Sequence, residues 1–210
     1  MARKITPSPA HIRAVAWVKD EPFGVEFAEI HMAGNSLTAS GVAVGSAPFP
    51  YRLDYALETG ADFVTSRLQA TSRREGWRRE LDLSRDERGA WRIRVREDGQ
   101  LDLPPAGGDA ERLAGALDCD LGLSPVTNMM PICRHGLLHG GGPVEFTMAW
   151  VAVPSLSLRP DGQRYRHLRS NDKCHIIRYE AIDGSFAADI TVDGDAVVID
   201  YPGIARRLSR

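Results

Sequence analysis

Cysteine is scarce, with three in 210 residues. So small and odd a number excludes a disulfide framework and fits free thiols in a reducing compartment. An excess of either charge is also missing: 26 Lys and Arg stand against 28 Asp and Glu, for a formal charge of -2. That balance does not mark a polyanion binder. No run approaches the roughly 20 apolar residues of a membrane-spanning helix, so no span is expected. The first residues, MARKITPSPAHIR, carry basic groups but no apolar stretch before a small-residue cleavage site. They do not read as a secretory signal, and the expected compartment is the cytoplasm. Internal repeats are absent, and long stretches of 3.6-residue period are few.

With 43% apolar residues the chain can bury a real core. Its periodicity is that of strands. In "PYRLDYALE" Tyr51, Leu53, Tyr55 and Leu57 share one face, with Arg52, Asp54 and Glu58 opposite. "AWRIRVRE" sets Trp91, Ile93 and Val95 against Arg92, Arg94 and Arg96, and "SFAADITVD" aligns Phe186, Ala188, Ile190 and Val192. "VEFTMAWVAV" alternates from Val144 to Trp150 and turns apolar on both sides from Ala149, as a central strand would. Gly34-Asn35, Asp98-Gly99, Asp161-Gly162, Asp183-Gly184 and Asp193-Gly194 supply the positive φ of tight hairpins, which argues for antiparallel pairing. Short helices are expected at "ERLAGALDCD" (residues 111–120) and "GIARRLSR" (residues 203–210). The Pro/Gly segment Leu103–Glu111 reads as a surface loop within one domain covering residues 1–210.

The chemistry-bearing residues cluster in "CDLGLSPVTNMMPICRHGLLHGGG", residues 119–142. Cys119, Cys133, His135 and His139 lack the paired spacing of a zinc site, so no metal or other cofactor is expected. His139–Gly142 resembles an esterase oxyanion loop, yet no G-x-S-x-G elbow exists to supply the nucleophile. Cys174 and His175 are adjacent, so on a strand they face opposite ways and form no catalytic pair. Arg73, Arg74, Arg78, Arg79, Arg92, Arg94 and Arg96, near Trp77 and Trp91, invite a nucleic-acid reading. Glu75, Glu80, Asp82, Glu97 and Asp98 are interleaved, and cross-strand ion pairs on a wet sheet face explain them better. No nucleic-acid partner is expected. Thr127 and Asn128 lie between Pro125 and Pro131, and Asp120 is placed to pair with Arg134 as a buried ion pair. Turn shaping and ligand contact remain open for this group.

Three stretches, "LAGALDCDLGLSPVTNMMPICRHGL", "AWVAVPSLSLRPDGQRY" and "ITVDGDAVVIDYPGIARR", together with Trp17 and "FPYRLDY", resemble a family of bacterial glycolipid-binding proteins first grouped as a domain of unknown function. Its pattern maps onto Asp118, Asp120, Thr127, Asn128, Pro131, Arg134, Gln163, Tyr165, Asp200, Tyr201, Pro202 and Arg206. Val126, Cys133 and His135 depart from it. The resemblance implies an all-β fold, a single curved antiparallel sheet rolled into a spiral β-roll or incomplete barrel with few short helices.

The resulting expectation is non-catalytic binding of a lipid-like or glycolipid amphiphile in the concave face. The ligand contacts expected are Asp118, Asp120, Thr127, Asn128, Arg134, Gln163, Tyr165, Asp200, Tyr201 and Arg206. Trp150, Met148, Tyr55 and Phe186 would meet the apolar part, and Arg134, Asp120, Asn128 and Tyr201 the head. One alternative is a hydrolase or lyase acting on a sugar-like substrate through Asp120 and Asp200. A second is a structural or protein-interaction module. The oligomeric state is left open.

Overall fold

A computed structural model describes residues 10–100 and 102–208. The reading of the extreme N-terminus as lacking a secretory signal rests mainly on residues 1–9, outside that range.

The alternating segments pair with their neighbours in chain order. Seven strands form one antiparallel meander: β1 (His11–Lys19), β2 (Gly24–Ala33), β3 (Ser36–Gly45), β4 (Tyr51–Thr59), β5 (Thr65–Arg74), β6 (Trp77–Arg85) and β7 (Trp91–Asp98). After β8 (Asp118–Leu121) and helix α1 (Met129–Arg134), a second meander runs through β9 (Val144–Val151), β10 (Leu158–Ser170), β11 (His175–Ala181), β12 (Ala187–Val192), β13 (Val198–Tyr201) and β14 (Ala205–Arg207). β14 pairs with β1 and joins the two. The described residues thus form a sheet of 14 strands in the order β7-β6-β5-β4-β3-β2-β1-β14-β13-β12-β11-β10-β9-β8. Every pair is antiparallel except β8 with β9. Among these residues no helix is long and apolar enough to cross a membrane.

So many twisted strands curl, and here the two ends of the sheet meet. The Trp91 indole and the Arg85 guanidinium both donate to the Ala116 carbonyl at 3.1 Å, and the Thr65 amide donates to the Leu117 carbonyl. These are tethers between the start of β5, the end of β6 and the start of β7 and the segment entering β8. No ladder closes the ring, so the sheet is an open roll, as the resemblance implies.

On β4, Tyr51, Leu53, Tyr55 and Leu57 point inward as their alternation demands. Met148 and Ala149, on opposite faces of β9, are both buried, consistent with cover on both faces. On β7 only Trp91 is well covered, and Val95 is 46% exposed because this strand is an edge. The arginines of β6 and β7 face carboxylates in register, with Glu80 opposite Arg96 and Asp82 opposite Arg94. Arg79, opposite Glu97 and 3.3 Å from it, is in addition buried and donates to the Pro104 carbonyl at 2.5 Å and the Ser155 carbonyl at 2.8 Å. It pins the 103–111 loop to the sheet.

Three expectations about local structure fail. Asp161-Gly162 is no turn but lies inside the 13-residue β10. Strand β9 pairs it on one side, on the other the Ile182 amide donates to the Gly162 carbonyl at 2.9 Å, and the bare Gly162 accommodates Ile182, whose side chain would lie 3.1 Å from an added Cβ. Residues 205–207 form strand β14 instead of the expected helix, because pairing to both β1 and β13 outweighs a weak local preference. The helix expected at residues 111–120 is reduced to a 3-10 turn at Glu111–Leu113, followed directly by β8.

The interior of the roll is occupied by the segment following β8. Val126, Met129, Met130 and Ile132 are completely buried, and each contributes roughly 1.5–3 kcal/mol by leaving water. The hollow is therefore plugged along part of its length.

Candidate functional site

β8 carries three chemical groups in succession, and strand alternation separates them. Cys119 turns toward β5, where its amide donates to Thr65 Oγ1 at 3.0 Å, and burial pushes its thiol up to about 12. Asp118 and Asp120 face the other way. Asp118 receives both guanidinium nitrogens of Arg134, one at 2.6 Å, from the last turn of α1. Burial pushes the Asp118 carboxyl up, and Arg134 opposes that shift. Asp120 accepts the Thr127 hydroxyl at 2.8 Å and the Gln163 amide at 2.7 Å. No cation touches it, and burial raises its pKa against those two hydrogen bonds.

The wall beside Asp120 comes from one face of β10: Arg159, Asp161, Gln163 and Tyr165. Arg159 donates to Asp161 at 2.7 Å and lies 4.4 Å over the Trp150 ring. Gln163 bridges the two carboxylates, with Asp161 at 3.1 Å, while its Oε1 is buried without a protein partner. Tyr165 accepts from Asn128 at 2.7 Å and belongs to an aromatic series running outward from His135. His135 stacks on Phe146 at 5.6 Å, Phe146 meets Tyr165 at 5.3 Å, and Tyr165 meets Tyr179 edge-on at 5.3 Å. Tyr179 then packs with Phe186 and Tyr201 at 5.9 and 6.0 Å.

This series ends at a cleft of about 380 Å3. Trp150, Tyr179, Phe186 and Tyr201 form aromatic walls, Asp120, Ser124 and Asn128 provide polar groups, and Pro22 and Ile204 form part of its border. Ser124 also donates at 2.6 Å to Glu26, which is buried with Lys19 at 2.8 Å and receives the Tyr55 hydroxyl. Among the described residues no lysine or arginine lines the cleft. A larger groove of about 510 Å3 lies along β4–β7, bordered by Asp54, Glu80, Asp82, Arg94 and Arg96. Its carboxylates already face arginines, so the aromatic cleft is the better candidate.

Of the ten contacts expected from the sequence, Asp120, Asn128 and Tyr201 line this cleft. Thr127, Gln163 and Tyr165 lie behind them, holding Asp120 and Asn128. Arg134 pairs with Asp118 and not with Asp120, because α1 delivers the guanidinium to the buried end of β8; neither member lines the cleft. Asp200 and Arg206 oppose each other across β13 and β14, on the face away from Tyr201, with Arg206 exposed. The carboxylate pair of Asp120 and Asp200 does not form. Among the apolar candidates Trp150 and Phe186 line the cleft, whereas Met148 and Tyr55 do not. Tyr179 and Ser124 escaped the sequence reading; "HIIRYEA" has the alternation of a strand, but nothing local reveals which tyrosine faces the opening.

Among the described residues no group of three or more His, Cys, Asp or Glu converges to hold a metal ion. Burial pushes the Cys133 thiol up to about 12, which suits an inert side chain.

No curated protein matches the sequence. A crystal structure of a DUF1089-family protein from Pseudomonas aeruginosa is similar along nearly its whole length, with a TM-score of 0.67 and 27% identity over 99% of this chain and 97% of that one. Residues 14–207 match the family described as "Putative glycolipid-binding". The match spans the roll from β1 to β14, and the chain belongs to that family.

Proposed function

We propose that the protein binds an amphiphile without transforming it, taking an uncharged, hydroxyl-rich head against Asp120, Ser124 and Asn128 and apolar groups against the aromatic walls. The observation carrying this reading is the composition of the cleft: four aromatic rings and three polar groups in about 380 Å3, with no lysine or arginine among the described residues that line it. Aromatic faces pack against the apolar faces of sugar rings, while a carboxylate, an amide and a hydroxyl accept and donate hydrogen bonds to hydroxyls. A phosphate or sulfate head would meet Asp120 without a compensating cation, since Arg134 is engaged by Asp118. Burying apolar ligand area at roughly 25 cal/mol per Å2 supplies the driving force.

Isothermal titration with alkyl glucosides and maltosides, set against an anionic lysophospholipid of equal chain length, tests the reading. Saturable binding with a negative heat-capacity change is expected for the glycosides, with the anionic ligand weaker by about tenfold or more. Absence of saturable glycoside binding, or equal affinity for the anion, overturns it.

A further inference from the structure

The outer face of β1–β3 is not uniformly polar. Two adjacent cross-strand rows are apolar: Val18, Val25 and Val44 form one, Ala16, Phe27 and Val42 the other. Val25 and Phe27 are each 44% exposed and Val44 is 48% exposed. Farther along the same strands the rows become Ala14, Glu29 and Ser40, then Ile12, His31 and Thr38. The apolar surface is therefore concentrated at one end. At that end the turn between β1 and β2 places Pro22 on the cleft border and leaves the neighbouring Phe23 64% exposed. The Ser46 hydroxyl donates to the Phe23 carbonyl at 2.7 Å, fixing this turn against the exit of β3.

Arginines border the patch. Arg206, itself opposite Asp200, stands opposite Val18 on one side; on the other, Arg52 and then Arg73 continue the Val44 row while Asp54 continues the Val42 row. Arg52 and Arg73 share Asp54 and remain about half exposed, with side-chain exposures of 50% and 46%. Asp20 and Glu21 are the acidic groups of the turn itself. Aromatic and aliphatic side chains rimmed by paired charges match a lipid–water interface, where rings enter the headgroup layer and the charged rim stays among the head groups.

We infer that this end of the outer face, with Phe23, Val25, Phe27 and Val44 as its contact residues, docks on a lipid surface and brings the cleft border to the bilayer. The partner class rests on the amphiphile-binding reading of the cleft, because continuity between patch and opening favours lipid over a second copy of the chain.

Flotation of the full chain with vesicles of phosphatidylcholine and phosphatidylglycerol tests the inference, using Phe23→Asp/Phe27→Ser beside the unaltered protein. Partition of the double variant should fall about tenfold or more, while its melting temperature and its titration with a soluble alkyl glucoside stay unchanged. Failure of the unaltered protein to float, or equal flotation of the variant, overturns the docking. An unaltered protein that is a dimer in solution and becomes monomeric in the variant assigns the patch to self-association and also overturns it. Flotation without alkyl-glucoside binding would sink the cleft reading alone, so the two failures are distinguishable.

Discussion

Gln163 on β10 donates its amide to Asp120 on β8 across the intervening β9, at 2.7 Å. A half-buried carboxylate is thereby held by neutral donors alone, Gln163 and the Thr127 hydroxyl. The arrangement keeps an acceptor fixed at the cleft without spending a cation on it, and it has a pH signature.

Burial raises the Asp120 pKa, against the opposing hydrogen bonds from Gln163 and Thr127. An acid whose folded value exceeds its unfolded value takes up a proton more readily when folded. Its contribution to stability is complete below the ordinary aspartate value of about 4 and is lost as pH rises through the raised one. Asp120→Asn should therefore lose less stability than the unaltered protein over the window that opens above about pH 4. Urea melts at steps across that window measure the difference; identical slopes would show that Asp120 does not titrate there.

The Asp118–Arg134 pair is buried, with side-chain exposures of 1% and 9%. Arg134→Met removes one charge and strands the other, at a cost of about 3–5 kcal/mol. Asp118→Leu combined with Arg134→Met should recover most of that loss. A double-mutant cycle by chemical denaturation reads the coupling directly, and additive losses would contradict it.

Trp150 lines the cleft, whereas Trp17, Trp77 and Trp91 are 0–5% exposed in the core. Alkyl glycoside binding should change the intrinsic fluorescence through Trp150 alone. Trp150→Phe is expected to abolish the change and to weaken affinity about tenfold, as loss of part of an aromatic wall implies. A full signal in the variant would place the ligand elsewhere.

Gly41 on β3 faces the Tyr55 ring, and an added Cβ would lie 2.4 Å from the ring and its hydroxyl. Tyr55 cannot move freely, because its hydroxyl donates to Glu26 at 2.8 Å beside Lys19. Gly41→Ala should cost about 1–3 kcal/mol by overpacking. Thermal melts check this, and restoration by an added Tyr55→Phe, which frees the ring from Glu26, would identify that tether as the cause.

The legible parts of the fold share one property: a strand covered on one face writes that fact into every second residue. Tyr51 through Leu57 and Ala188 through Val192 show it, and Asp183-Gly184 marks the hairpin between β11 and β12. The same kind of signal misleads at Asp161-Gly162, where backbone hydrogen bonds on both sides override turn chemistry, and at residues 205–207, where two neighbouring strands impose extension. For the site, the family pattern gathered Asp120, Asn128 and Tyr201 together with the residues that support Asp120 and Asn128. It also included Asp200 and Arg206, whose side chains lie on the opposite face.

Residue order alone determined that this chain forms strands, roughly where they run, and which segment carries its unusual polar groups, because alternation and turn preference act over a few neighbours. Tertiary structure decided which polar groups meet. Arg134 reaches Asp118 instead of Asp120, Gln163 spans two strands to Asp120, and Tyr179 joins Tyr201 at the opening. Those contacts depend on how far a 14-stranded sheet curls and on where α1 lodges inside it. Both are settled by the packing of residues distant in sequence, which local periodicity does not encode.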